Sequence, residues 1–211
     1  MRKITKGIHP EPASLTDFKR TNRTATYDDL NKIERTDIRA RCLEEQHFLC
    51  AYCCKEISGE NHDCMNEHVE ARRIAPARSL DFTNIVSSCT TPGQCDASHG
   101  SQPLPLTPFM SECETELEFT LSGKVRGLTD RAKETIRVLN LGDELQSNRS
   151  LIEQRKQFIQ SIMFSNGIEP EDGLDDDELL EMVINDISTP KNGKLEAFAP
   201  VVVNVLKQWV A

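Results

Sequence analysis

The sequence predicts an α+β protein, mainly helical, organised around a small irregular segment rich in cysteine, with flanking helices and a helical C-terminal region. Three observations lead there. Apolar residues recur at helical spacing near residues 28–45 and again over much of residues 129–210. One short stretch alternates as a hairpin does, and the eight cysteines include a C-x2-C pair in a segment dense in turn residues. With 211 residues, 37% hydrophobic and 28% charged, the chain has material for a real core, which excludes a miniprotein held by disulfides alone. No run of 18 apolar residues exists, and Met1-Arg2-Lys3-Ile4-Thr5-Lys6 lacks the apolar stretch of a signal peptide, so the expectation is a cytoplasmic chain with no membrane contact. In a reducing compartment cysteines hold metal or stay as buried thiols.

The elements follow in order. Residues 1–46 read as a polar N-terminal arm, with Pro10, Pro12 and Thr21-Asn22-Arg23-Thr24, followed by a helix from Asp28 to about Glu45. Leu30, Ile33, Ile38 and Leu43 give that helix its apolar face, and Thr26 or Asp28 caps it. Residues 47–110 form the chemical core, ending in an extended connector because Pro103, Pro105 and Pro108 fix their own backbone and disfavour helix before them. Residues 111–211 begin with a short hairpin, Glu118–Val125, turning at Ser122-Gly123. Three helices follow: Ala132, Ile136 and Leu139 behind Thr129-Asp130; Leu151, Phe158, Ile159 and Ile162; and Leu179, Leu180, Val183, Ile184 and Ile187 behind an acidic run. An apolar final helix, Val201–Val210, starts near Pro200 and carries Trp209, the only tryptophan, as a core or subunit contact.

The net charge of −9 divides unevenly. Residues 1–80 hold 14 Lys/Arg against 13 Asp/Glu, whereas residues 81–211 hold 11 against 21. Seven acidic residues and no basic ones lie between Glu171 and Glu181, a surface that repels a phosphate backbone, so any nucleic acid binds elsewhere or with help.

The chemistry concentrates between Cys50 and His99. Cys50-Ala51-Tyr52-Cys53 spaces two thiolates to face one tetrahedral ion, and Cys89 and Cys95, separated by a loop containing Pro92-Gly93, supply a second pair. Four thiolates close a structural Zn2+ site. Between the pairs lie Glu67-His68 and Asn84, and past Cys95 come Asp96 and His99, more than a structural zinc site needs. Phosphodiester hydrolysis uses such groups: a base near neutrality to deprotonate water, and oxygen or nitrogen ligands for a hard divalent cation. Arg72, Arg73 and Arg78 follow the histidine in positions suited to gripping a nucleic-acid backbone. Cys42, Cys54, Cys64 and Cys113 fall outside the pairs and read as buried thiols, His62 as exposed and His47 as a packing residue.

The stretch from Glu44 to Gly100, with Leu49-Cys50-Ala51-Tyr52-Cys53, Glu67-His68, Asn84, Ser88-Cys89 to Cys95 and His99-Gly100, resembles an HNH endonuclease. The flanks extend the likeness over roughly residues 1–160: Met1-Arg2-Lys3-Ile4 and Thr26-Tyr27-Asp28-Asp29-Leu30 before it, then Leu104-Pro105-Leu106-Thr107-Pro108, Ser122-Gly123-Lys124 and Leu139-Asn140-Leu141 to Arg149 after it. Together they are similar to the retron- and Septu-associated, PtuB-like HNH proteins of bacterial anti-phage defence, which work with an ATPase. The resemblance implies a zinc-stapled ββα-metal core and a nuclease that cuts nucleic acid, DNA before RNA, beside a PtuA-like ATPase subunit. It also implies His68 as general base, Asn84 as the residue holding the loop that orients it, and a catalytic Mg2+ or Mn2+ held by Glu67 with Asp96 or His99. Many family members carry Asn or His directly after the last cysteine and Lys three residues later; Asp96 and His99 stand there instead, and which of the two completes the site is left open. The alternative is a zinc-stabilised module that binds nucleic acid or a partner without cutting.

Overall fold

The N-terminal stretch is where the architecture first departs from expectation in the computed structural model, which describes residues 1–168 and 177–210. It is no loose arm. Met1 and Ile4 are buried in the main core, the Ile4 N–H donates to the Pro108 carbonyl at 2.7 Å, and Lys6 forms an almost fully buried ion pair with Glu45 at 2.6 Å. A helix, α1 (Ala13–Thr21), then seats Leu15 in a second apolar cluster with Ile38, Cys42, Phe82 and Ile85. Isolated apolar residues separated by polar ones carry no period, so only their tertiary pockets reveal them as core.

The next helix, α2 (Lys32–Gln46), begins later than the apolar spacing suggests. Asn31 caps it: its Oδ1 accepts from the Ile33 N–H at 2.7 Å, while Glu34 accepts from the Asn31 N–H at 3.0 Å. Thr26 instead caps a separate 3-10 turn, Tyr27–Asp29. Ile33 is 65% exposed and does not belong to the buried face, which runs through Ile38, Cys42 and Leu43.

Against α2 lies an antiparallel pair, β1 (Cys64–His68) and β2 (Ile85–Cys89), with Cys64 opposite Cys89 and His68 opposite Ile85. One helical turn, α3 (Asp96–His99), follows. The predicted hairpin is present as β3 (Leu117–Phe119) and β4 (Val125–Gly127). Its turn needs Gly123, whose φ is +81° and where a Cβ would lie 2.1 Å from the Ile152 carbonyl oxygen.

The C-terminal region comprises α4 (Asp130–Leu139), α5 (Leu145–Ser165), α6 (Asp177–Ser188) and α7 (Ala199–Leu206). Thr129 caps α4 by accepting from the Ala132 N–H, and Ala132, Ile136 and Leu139 are buried as their spacing requires. In α5 Leu151 and Ile159 are buried, whereas Phe158 and Ile162 are half-buried at its edge. Of the acidic run, Glu171, Asp172, Asp175 and Asp176 lie outside the described residues, while Asp177, Glu178 and Glu181 are exposed on α6. Trp209 is half-buried against the main core. That core is one cluster, containing Met1, Ile57, Val86, Leu117, Leu139, Leu151 and Val202. Among the described residues no helix is long and apolar enough to cross a membrane.

Candidate functional site

Four thiols meet where the segment after α2, the end of β2 and the start of α3 converge. The Sγ atoms of Cys50, Cys53, Cys89 and Cys95 all lie within 4.8 Å of one another, with Cys50 to Cys95 at 3.8 Å and Cys53 to Cys89 at 3.9 Å. A tetrahedron with Zn–S bonds of about 2.3 Å has an edge of about 3.8 Å. The donor set therefore fits zinc in both chemistry and size. Hydrogen bonds from the other three thiols hold the Cys89 thiol far below its ordinary value, while the same network and burial push the Cys53 and Cys95 thiols well above theirs. Local backbone geometry builds the knuckle: Cys54 takes a left-handed φ of 64°, and its N–H returns to the Cys50 carbonyl at 3.1 Å. Gln46, at the end of α2, ties it to the strands by donating to the Leu49 and Ser87 carbonyls and accepting from the Ser87 N–H. As the spacing indicated, Cys42, Cys54, Cys64 and Cys113 are buried outside the cluster; burial pushes the thiols of Cys42 and Cys113 up to about 12 and that of Cys64 to about 11. His62 is exposed, and His47 closes α2 in a left-handed conformation with its ring against the Gly193 carbonyl at 3.1 Å.

A cleft of about 1010 Å³ opens along β1, between α2 and the loop that follows His68. His68 lines it. Its Nε2 lies 2.9 Å from the Ser79 carbonyl, which can only accept, so the neutral ring carries its proton there and leaves a lone pair on Nδ1. Burial lowers the His68 pKa, keeping the ring neutral at pH 7, and Tyr27 meets it edge-on at 4.9 Å. Ser79 ties both residues together, since its hydroxyl also accepts from the Tyr27 backbone N–H at 2.8 Å. Asn84 does not face the cleft. It is buried, accepts from the Glu70 N–H and donates to the Glu70 carbonyl, each at 2.9 Å, and so locks the backbone two residues past His68.

Beside His68, Glu67 is touched by three side chains. His99 Nδ1 lies 2.5 Å from its Oε1, the Tyr52 hydroxyl donates to the same oxygen at 3.4 Å, and the Asp96 carboxyl shares a hydrogen bond with it. Tyr52 thus links the cysteine knuckle to this group. His99 is fully buried, and its Nε2 faces the Gln102 carbonyl at 2.9 Å, so a neutral His99 presents an acceptor to Glu67. Glu67 therefore sits between two acceptor groups that need a proton or another cation between them. Burial raises Glu67; burial together with the hydrogen bond and charge of Glu67 raises Asp96 to about 8. Asp96 lines the cleft, whereas His99 stands behind Glu67. Among the described residues the four thiols are the one group of three or more such donors drawn within 4.8 Å of each other; Glu67, Asp96 and His99 make pairwise contacts.

The three arginines separate. Arg72 and Arg73 line the cleft, Arg72 paired with Asp28 at 2.6 Å. Arg78 faces a different groove with Val69, Ile74 and Met110, bound to Glu70 at 2.8 Å and Asp81 at 2.9 Å, so it is no part of the cleft wall. In its place the structure brings Lys32, Arg35 and Arg39 to the opposite wall. Their i, i+3, i+7 spacing on α2 is a sequence signal of one basic helical face. Ser79 and Gln94 carried no such signal. No protein-family model matches the chain, and no curated protein matches it.

Proposed function

We propose that this protein is a metal-dependent HNH endonuclease that hydrolyses nucleic-acid phosphodiester bonds, DNA before RNA, as the nuclease of a PtuB-like anti-phage complex with an ATPase. The observation that carries the reading is the position of His68: a neutral imidazole with a free Nδ1, on the wall of a cleft that also holds Glu67, Asp96 and five basic side chains. The β1–β2 pair and the one-turn α3 fit the ββα order of such a core.

The chain's own groups divide the work. His68 Nδ1 takes the proton of the attacking water, its ring held by Ser79 and its loop by Asn84, a role worth roughly 10²–10⁴ in rate. Arg72 and Arg73 on one wall, with Lys32, Arg35 and Arg39 on the other, hold the phosphate backbone. Glu67 and Asp96 are the oxygen donors for Mg2+ or Mn2+, and His99 orients Glu67 from behind. When bound, such a cation supplies stabilisation for charge growing on the phosphate and the leaving oxygen. The acidic balance of residues 81–211 supports a partner, since a basic ATPase subunit would supply backbone contacts that this half lacks.

The test is cleavage of plasmid and RNA substrates in Mg2+ or Mn2+, with and without the ATPase, by wild type and His68→Ala. Loss of cutting with zinc content and fold retained supports the assignment; equal products from both proteins overturn it. That the thiols are the one closely drawn donor cluster among the described residues favours a second reading, a zinc-stabilised binding module. Nucleic-acid binding without any cleavage by wild type under all these conditions would decide for that module.

A further inference from the structure

Arg155, on α5, has 0% of its surface exposed, and no carboxylate lies within 4.0 Å of it among the described residues. Its Nη1 donates to the Leu141 carbonyl at 2.6 Å and its guanidinium lies 4.9 Å from the Phe119 ring centre, but Nε and Nη2 have no hydrogen-bond partner. An arginine stays protonated in a protein, and an uncompensated buried charge costs several kcal/mol. The carbonyl it binds lies two residues past Leu139, whose own carbonyl accepts from the Cys95 N–H at 2.9 Å, and the groups that favour its charge are the sulfurs of Cys53, Cys54, Cys95 and Cys50, three of which belong to the thiol cluster. Four thiolates around one Zn2+ leave a net charge of −2 in a dry interior. A single buried cation of opposite sign offsets half of that charge and gains the counter-charge it otherwise lacks.

The same helix reaches the cluster a second way. Asn148 breaks the helical backbone with φ −154° and ψ 72°, and its Oδ1 caps the following turn at the Leu151 N–H. Its Nδ2 donates to Gln94 Oε1 at 2.9 Å and to the Asn140 carbonyl at 3.0 Å. Gln94 in turn points its Nε2 at Cys89 Sγ, 3.6 Å away, and at Cys53 Sγ, 3.8 Å away.

We propose that α5 forms the outer layer of the metal centre: Arg155 is the counter-charge of a zinc tetrathiolate, and Asn148, through Gln94, orients a donor onto two of its sulfurs. Zinc binding and the docking of α5 are then one coupled equilibrium, each strengthening the other by the same factor. This stands independently of the nuclease reading.

The test uses the full zinc-loaded chain in competition with a chromogenic chelator. Arg155→Met is expected to lose zinc affinity by about 10- to 100-fold, the usual cost of removing an outer partner of a metal ligand. Arg155→Lys, which keeps the charge, stays nearer wild type, and Leu180→Ala, which disturbs packing on α6 without touching Arg155, keeps wild-type zinc affinity. In wild type, which needs no variant to fold, hydrogen exchange after zinc removal should rise across residues 149–165 together with residues 50–95. Zinc affinity of Arg155→Met within twofold of wild type, an equal loss in Leu180→Ala, or an α5 still protected without zinc overturns the proposal. A wild-type chain that never binds zinc overturns the centre itself.

Discussion

Replacing one cluster thiol tests the part of the molecule on which the rest is built, and adjacent cysteines supply the control. Cys53 lies in the four-thiol cluster; Cys54, the next residue, is buried outside it. Zinc contributes on the order of 10 kcal/mol in small metal-folded domains. A change of 1 kcal/mol moves Tm by roughly 2–4 °C in a domain of 150–250 residues. Cys53→Ser, or chelation of wild type, is therefore expected to lower Tm by on the order of 20–40 °C, or to leave residues 47–110 unfolded. Cys54→Ser should bind one zinc as wild type does and melt within a few degrees of it. The assays are metal analysis, circular dichroism melts with and without chelator, and Co2+ substitution, which should give the absorption bands of a tetrahedral thiolate site. Wild type with no bound zinc, or a melt that chelation leaves unmoved, refutes the argument from sulfur geometry.

Asn84→Ala strips the partners from the N–H and carbonyl of Glu70. These groups are partly hydrated, so the expected cost is about 1–3 kcal/mol, read as a lower Tm together with a fall in cleavage; an unchanged Tm refutes the loop lock. The Asp96 carboxyl, raised from 3.8 to about 8, binds its proton in the folded state where the unfolded chain has lost it, so stability without Mg2+ or Mn2+ falls as pH rises from about 4 to 8. Asp96→Asn should flatten that dependence in urea melts at pH 5 and 8.5, and added Mn2+ should raise wild-type stability more at the higher pH. In saturating cation the acid limb of cleavage belongs to His68, whose pKa is lowered by burial, and should lie below the ordinary value of 6.5. Arg72→Ala or Arg35→Ala should weaken DNA binding and reduce the slope of log K against log salt by about 1, while Arg78→Ala, paired away from the cleft, leaves the slope alone.

The four-thiol cluster was legible because its signal is short in range. Cys50 and Cys53 share one turn, and Pro92-Gly93 marks the loop that brings Cys89 and Cys95 back, so residue type and spacing identify the ligand set. The hairpin at Ser122-Gly123 and the Thr129 cap of α4 were equally local, a turn glycine and a hydroxyl beside a helix start. Their chemistry is complete within a few residues.

What the sequence could not disclose depends on contacts between distant residues. Met1, Ile4 and Leu15 became core because the surfaces that cover them come from elsewhere in the chain. Arg78 left the cleft because Glu70 and Asp81 neutralise it on another face, and His99 turned inward because the Gln102 carbonyl takes its Nε2 proton while its Nδ1 meets Glu67. Nor does spacing reveal that Arg155 lies about sixty residues beyond Cys95 in the chain yet close enough for its charge to be felt by the sulfurs. Residue type and order determined the candidate ligands and the candidate base; tertiary packing decided which side chains are buried, which way a ring nitrogen points and which charges share a dry interior, because those properties belong to the space between elements.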